Sequence, residues 1–190
     1  MQEIIGVEHS ISLKNSKQTL DEVFLAIDNA AKSGKPVKIG IEGIKSEEKP
    51  GKEITFFGIV RDYARTYPNV ELIPIDSKLG RDITGEAKQA QIEYLGKQKK
   101  FSRKEKANLG KKLLVATKYR SKTMANRIKK QNITLSIVGG LHARDIETML
   151  NIKTKYLGHA GNRNYKMMLG PIYGSFKKAL RKKRLHFRKR

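Results

Sequence analysis

The stretch SIVGGLHARD (136–145) and the stretch EIIGVEHSIS (3–12) share one pattern, a short apolar run that ends in Gly-x-x-His. The pattern closes on His142 in one stretch and on His9 in the other, in a chain with only four histidines. Short apolar runs rich in β-branched residues are typical of buried strands. The two stretches therefore predict two strands that each lead to a histidine.

Two further apolar runs lead to an acidic residue instead. PVKIGIEG (36–43) reaches Glu42, and NVELIPID (69–76) reaches Asp76. Two segments between the runs have apolar residues at the spacing of an amphipathic helix. They are SKQTLDEVFLAIDNAAKSG (16–34) and ITFFGIVRDYARTYP (54–68). Alternating strands and helices predict an α/β fold with a mostly parallel sheet and crossover helices.

The chain between the third and fourth predicted strands is long, basic and helix-forming. Residues from about 86 to 130 are too many for a plain crossover, so they predict a basic helical insertion before the last motif strand. The final residues, 176–190, contain nine basic residues and no acidic one. We therefore predict one α/β domain over 1–175, which includes the insertion, followed by a basic tail over 176–190.

The positive charge of the chain is unevenly distributed. Residues 1–95 contain 13 Lys/Arg and 15 Asp/Glu, whereas residues 96–190 contain 28 and 3, so net charges of −2 and +25 make up the total of +23. Dense like charges repel one another, and binding to phosphates relieves that repulsion. We expect nucleic acid or another polyanion as a partner, with RNA or the ribosome favoured; solubility and adaptation to an unusual intracellular salt are the alternatives.

The basic tail supplies the predicted nucleic-acid contacts. They are Lys177, Lys178, Arg181, Lys182, Lys183, Arg184, Arg188, Lys189 and Arg190. A segment this basic, with no acidic residue to pair with, is not expected to belong to a core.

The composition also bears on the compartment. The chain has no cysteine, which excludes disulfides and thiolate metal sites and fits a reducing environment. No apolar run approaches the roughly 20 residues that span a bilayer, and the N-terminus lacks the features of a signal peptide. We expect a cytoplasmic protein without a membrane span; the oligomeric state stays open.

The strand ends predict a functional site. His9, Glu42, Asp76 and His142 each follow one predicted strand, and the carboxyl ends of parallel strands share the edge of a sheet where ligands bind. Two histidines and a glutamate can hold a divalent metal ion of unknown identity, or they can transfer protons without a metal. The glycine before each histidine allows a sharp turn or the close approach of a ligand. For a single motif, a turn with a capping histidine is the simpler interpretation.

The order of these motifs resembles the TraB/Tiki/ChaN superfamily, which includes erythromycin-esterase-like proteins. Within YRSKTMANRIKKQNITLSIVGGLH (119–142), Arg120, Met124 and Ala125 are similar to the Arg-x-x-x-Met-Ala helix of that family. NVELIPID (69–76) resembles its strand that ends in Asp. Members are metal-dependent proteases, esterases, haem-binding lipoproteins or uncharacterised proteins, so the resemblance implies a site more firmly than a reaction.

Two hypotheses about function follow. The first is a hydrolase-type domain whose site consists of His9, Glu42 and His142, with Asp76 and Arg120 as further members, and which carries a polyanion-binding surface. If it depends on a metal, the two histidines and Glu42 hold the ion. The second is a non-catalytic RNA- or ribosome-associated protein that retains the fold as a scaffold. Convergence of the two histidines and Glu42 on one cavity favours the first, and an apolar plug favours the second.

Overall fold

The computed structural model describes residues 2–8, 17–44, 55–95 and 101–162. Strand and helix alternate along most of the described chain. In order, the elements are β1 (Glu3–Val7), α1 (Lys17–Ala31), β2 (Val37–Ile41), α2 (Phe56–Ala64), β3 (Val70–Pro74), α3 (Lys78–Leu95), α4 (Arg103–Lys130), β4 (Leu135–Gly139), α5 (Gly140–Leu150), β5 (Thr154–Tyr156) and a short 3-10 helix (Ala160–Asn162). The predicted α/β fold with crossover helices is confirmed, and α3 and α4 form the helical insertion before β4.

The five strands form one all-parallel sheet in the order β3-β2-β4-β1-β5. Their carboxyl ends lie side by side: Val7 is next to Gly139, and Ile41 is next to both Pro74 and Ile137. β4 inserts between β1 and β2, so residues that follow β2 and β4 are neighbours although they are far apart in sequence.

Helices cover both faces of the sheet. Ile5 of β1 packs with Val23 of α1 and with residues of α2. Its neighbour Ile4 points to the opposite face, where Met124 of α4 and Ile146 of α5 lie. A parallel sheet buried on both faces needs apolar residues at consecutive positions, which explains the continuous apolar runs of the sequence.

The chain divides into two compact units. The first unit, so far as it is described, combines residues up to Ser77 with those from Arg120 to Asn162, and contains the whole sheet. The second unit, so far as it is described, is Lys78–Tyr119. Within it Lys112 pairs with Glu86 at 2.8 Å. The predicted extent of one domain, 1–175, stays a prediction, and the predicted tail, 176–190, lies outside the described residues.

Among the described helices, none has the length and apolar character needed to cross a membrane. The longest, α4, has 28 residues. Its sequence is rich in lysine and arginine, which a bilayer core would not accept.

Candidate functional site

Four polar side chains of the first unit converge at the carboxyl edge of the sheet. Glu42 follows β2 directly, Asp76 follows β3, and His142 lies in the first turn of α5 immediately after β4. Arg120 reaches the same place from α4. All four are nearly inaccessible, with exposed fractions of 3%, 4%, 6% and 9% for Glu42, Asp76, His142 and Arg120. The adjacency of β3, β2 and β4 brings the first three together.

Arg120 joins the two carboxylates. Its Nη2 donates to Asp76 Oδ2 at 2.6 Å and to Glu42 Oε1 at 2.8 Å, and its Nε donates to Asp76 Oδ1 at 3.0 Å. Burial by itself would lower the pKa of Arg120, but the hydrogen bond with Asp76 and the charge of Glu42 outweigh it, and the pKa is raised. The guanidinium is therefore firmly charged.

The other oxygen of Glu42 binds the start of α5. The backbone N–H of Gly139 donates to Glu42 Oε2 at 2.6 Å, and Gly139 is the N-cap of that helix. Negative charge at a helix N-terminus is favourable because the first N–H groups have no partner within the helix. The backbone N–H of Glu42 also donates to Ile137 O of β4 at 3.0 Å. Both its backbone and its side chain thus hold Glu42 against β4 and α5.

His142 lies between Glu42 and a buried serine. Its Nε2 is 3.6 Å from Glu42 Oε1, and its Nδ1 is 2.9 Å from Ser121 Oγ. Ser121 Oγ donates in turn to Asp145 Oδ2 at 2.9 Å. Burial lowers the pKa of His142, and although the charge of Glu42 opposes this, the charge of Arg120 adds to it. The imidazole is therefore neutral near neutral pH.

The structure brings together four of the five predicted site residues: Glu42, Asp76, Arg120 and His142. The fifth, His9, lies outside the described residues, two positions after the end of β1. β1, which ends at Val7, is the neighbour of β4. The trio that includes it stays a prediction.

The sequence analysis did not identify Ser121. Helical spacing places it on the same face of α4 as Met124, Ala125 and Ile128, which are all in the core, and its own exposed fraction is 0%. A serine on an otherwise apolar helix face needs a partner, and this signal was available from the sequence. The partner could not be named, because Ser121 and His142 lie on different helices.

Gly6, the glycine of the first Gly-x-x-His motif, has a packing role. A Cβ added at Gly6 would lie 2.8 Å from Cβ of Ala143 in α5 and 2.9 Å from the ring of Tyr156. Helix α5 and the ring of Tyr156, both of the same unit, thus lie close to Gly6. Gly139 has φ −61° and ψ 143°, an extended conformation that needs no glycine, so the change from strand to helix there does not depend on glycine. Glycine at position 6 allows α5 to approach the sheet.

The described residues of the strand-end site do not have a geometry that could hold a metal ion by themselves. Within residues 2–8, 17–44, 55–95 and 101–162, no group of three or more His, Asp or Glu side chains has the arrangement of a metal site. Glu42 Oε1 already accepts from the Arg120 guanidinium, so a cation at this oxygen would meet a positive charge. The predicted metal site of His9, Glu42 and His142 thus depends on His9.

Comparisons of the chain with protein-family models, with curated proteins and with solved structures give no match. The resemblance to the TraB/Tiki/ChaN superfamily therefore stays a prediction from the motifs. The chemical capacity of the site follows from its own side chains, which are two carboxylates held by one arginine and a neutral histidine beside one of them. Such a set can move a proton and stabilise charge during a reaction.

Proposed function

We propose that the strand-end network, defined as Glu42, Asp76, Arg120 and His142, is the core of a hydrolase-type active site. The observation that carries the proposal is the burial of four titratable side chains from four separate segments within one bonded cluster. Buried ion pairs are often no more stabilising than apolar residues of similar volume. The pKa values of Arg120 and His142 are shifted, and shifted pKa values at the ligand-binding edge of a sheet are typical of functional sites.

His142 is the general base in this proposal. Its neutral imidazole takes a proton from a water molecule as the water oxygen bonds to the substrate carbonyl carbon. The imidazolium then gives this proton to the alcohol or amine that leaves when the acyl C–O or C–N bond breaks. Glu42, whose Oε1 is 3.6 Å from Nε2, stabilises the imidazolium that forms. Arg120 and Asp76 hold the Glu42 carboxylate in position. A neutral base with a carboxylate beside it suits hydrolysis near neutral pH, because the base is free to accept a proton.

The divalent metal predicted from the sequence defines a second form of this proposal. In that form His9, Glu42 and His142 would hold the ion, which would supply a bound water of lowered pKa. The acid–base form needs no third ligand. Metal analysis of the purified protein distinguishes the two, because stoichiometric metal that is lost on His142→Gln supports the metal-dependent form.

Hydrolysis assays on matched variants test the proposal. The wild type, Glu42→Gln and His142→Gln are assayed against a panel of p-nitrophenyl esters and fluorogenic peptides, with Tyr67→Phe as a control remote from the strand-end network. We expect both network variants to lose about 100-fold or more of the wild-type rate, as is typical on loss of a general base or its partner. The control should retain the rate. Equal rates in all four proteins would contradict the proposal.

We propose nucleic-acid binding as a second function, on a separate observation. The C-terminal part of α4 exposes Lys122, Asn126 and Lys129 along one side of a groove of about 450 Å³ in the first unit. Met149 and Ile152 lie on its apolar side. Lysine side chains on one face of a helix can contact phosphates, and an apolar surface beside them suits a base. The large net charge of +23 favours a polyanion as occupant.

Salt titrations test this second function. Labelled RNA and duplex DNA are titrated with the wild type, with Lys122→Gln/Lys129→Gln, and with a truncation after Phe176 that removes the nine basic tail residues. The exposed pair Lys17→Gln/Lys35→Gln is the control for the Lys122/Lys129 variant, since each loses two charges. Each lost phosphate contact should lower the log–log salt slope by about 0.7–0.9. Slopes equal to those of the control would mean that these charges serve solubility or a protein partner.

A further inference from the structure

Asp145, Ser121 and His142 form a chain of hydrogen bonds behind the strand-end network. Ser121 Oγ is 2.9 Å from His142 Nδ1 and 2.9 Å from Asp145 Oδ2. Ser121 is fully buried and His142 nearly so. The three side chains come from α4 and α5, and all belong to the first unit. The chain approaches the imidazole from the side opposite to Glu42.

The direction of each hydrogen bond follows from counting protons. A serine hydroxyl has one proton, and a carboxylate can only accept. The Ser121 proton therefore lies on the bond to Asp145, and Ser121 Oγ accepts from Nδ1–H of His142. Because a neutral imidazole carries one N–H, Nε2 has none.

The opposite tautomer would leave two acceptors facing each other. If His142 carried its proton on Nε2, Nδ1 would need the Ser121 proton. Ser121 Oγ and Asp145 Oδ2 would then lie 2.9 Å apart without a proton between them. In the Nδ1–H tautomer the two acceptors that face each other are Nε2 and Glu42 Oε1, and they are 3.6 Å apart. This distance is beyond that of a hydrogen bond, so the acceptors repel less there than at 2.9 Å, and an Nε2–H could not bond Glu42 well enough to offset the loss.

We propose that Ser121 and Asp145 are positioning residues that hold His142 in the Nδ1–H tautomer, with the bare Nε2 directed at Glu42. An unprotonated Nε2 is what a general base or a metal ligand requires. The catalytic consequence rests on the proposed hydrolase function, whereas the tautomer itself does not.

Nitrogen NMR of the full chain measures the tautomer directly. Protein labelled with ¹⁵N-histidine gives long-range ¹H–¹⁵N patterns that distinguish Nδ1–H from Nε2–H, above the pH at which His142 is protonated. With four histidines in the chain, the signals that vanish in His142→Gln identify this ring. We expect the Nδ1–H pattern in the wild type.

Two variants should reverse the pattern. Ser121→Ala removes the acceptor for Nδ1–H, so the proton moves to Nε2 and faces Glu42. Asp145→Asn preserves shape, and its amide can donate to Ser121 Oγ, which turns the serine proton toward Nδ1. Ser136→Ala, which truncates another fully buried serine of the first unit, is the matched control and should retain the wild-type pattern. Ser121→Thr keeps a hydroxyl and should also retain it.

The outcomes separate this proposal from the proposed function. An Nε2–H pattern in the wild type overturns it, as does an unchanged pattern in folded Asp145→Asn and Ser121→Ala. If the tautomer reverses and the wild type hydrolyses nothing, the positioning role stands and the hydrolase function fails. If both hold, Ser121→Ala should slow hydrolysis by about 10–100-fold, as expected for a residue that orients a functional histidine, and Ser121→Thr should restore the rate.

Discussion

The first unit contains two polar networks that differ in what they bury. In the tyrosine cluster, defined as Asp28, Tyr63 and Tyr67, both phenol hydroxyls donate to Asp28 Oδ1, at 2.7 and 2.6 Å. The cluster has one charge, is only partly buried, and ties α1 to α2. The ring of Tyr63 also stacks on Phe24, with centroids 3.9 Å apart. Its hydrogen bonds and its packing serve the same end, which is to hold two helices together.

The strand-end network instead buries an arginine with two carboxylates and places a neutral histidine beside them. Such burial has a large desolvation cost that good geometry can only offset. The packing of α1 against α2, which the tyrosine cluster stabilises, does not require the burial of these charges. The difference teaches that a partly exposed carboxylate with neutral donors is explained by stability alone, whereas the strand-end network has a desolvation cost for which the proposed catalytic role supplies a reason.

The largest expected effect comes from Arg120→Met. This change leaves the Glu42 and Asp76 carboxylates buried without the guanidinium, and should lower the free energy of unfolding by about 3–5 kcal/mol. Urea unfolding followed by circular dichroism measures it. Adding Glu42→Gln and Asp76→Asn should recover part of the loss. A loss no larger than that of a tyrosine-cluster variant would remove the contrast between the networks.

Gly6→Ala should rank second, and it alters no atom of either network. The added Cβ meets Ala143 at 2.8 Å, so α5 must shift, at a cost of about 1–3 kcal/mol in the free energy of unfolding. Because α5 carries His142, hydrolysis should fall as well. Gly85→Ala is the control, since an added Cβ there meets nothing within 4 Å. Equal stability of the two variants would refute the packing role of Gly6.

Tyr67→Phe should have a smaller effect that is confined to stability. It removes one of the two hydroxyls that bind Asp28, and loss of one partly exposed hydrogen bond lowers the free energy of unfolding by about 1 kcal/mol. Hydrolysis should stay at the wild-type rate, because no atom of the strand-end network changes. A tenfold fall in rate would mean that the two networks are coupled.

The smallest expected effect is on how the free energy of unfolding changes with pH in the acid range. Hydrogen bonds from Tyr67 and then Tyr63 lower the pKa of Asp28. The folded state therefore binds the proton less readily than the unfolded state, whose aspartates titrate near pH 4. The contribution to stability is fully present above that pH and is lost as the pH falls through the folded pKa. Urea unfolding between pH 5 and pH 3 should show a shallower decline for Asp28→Asn; parallel curves would contradict this.

Much of the site was predictable because its residues follow strands directly. Glu42, Asp76 and His142 each come just after an apolar run, and in a parallel sheet that position alone sends them to one edge. Arg120 depended on a resemblance, since nothing in the periodicity of α4 marks it. Ser121 carried a weaker signal, a polar residue on an apolar face, which shows that a partner is needed but does not identify it.

The sequence by itself predicted four of the five strands, the helices between them and the residues at which those strands end, because apolar periodicity and the turns that end an element are local properties. Only the tertiary structure decided that β4 lies between β2 and β1, which places His142 beside Glu42. It also decided that Ser121 meets His142 across two helices and that Gly6 makes room for Ala143. These contacts depend on how close-packed layers fit together, and that fit is a property of the whole unit rather than of any segment.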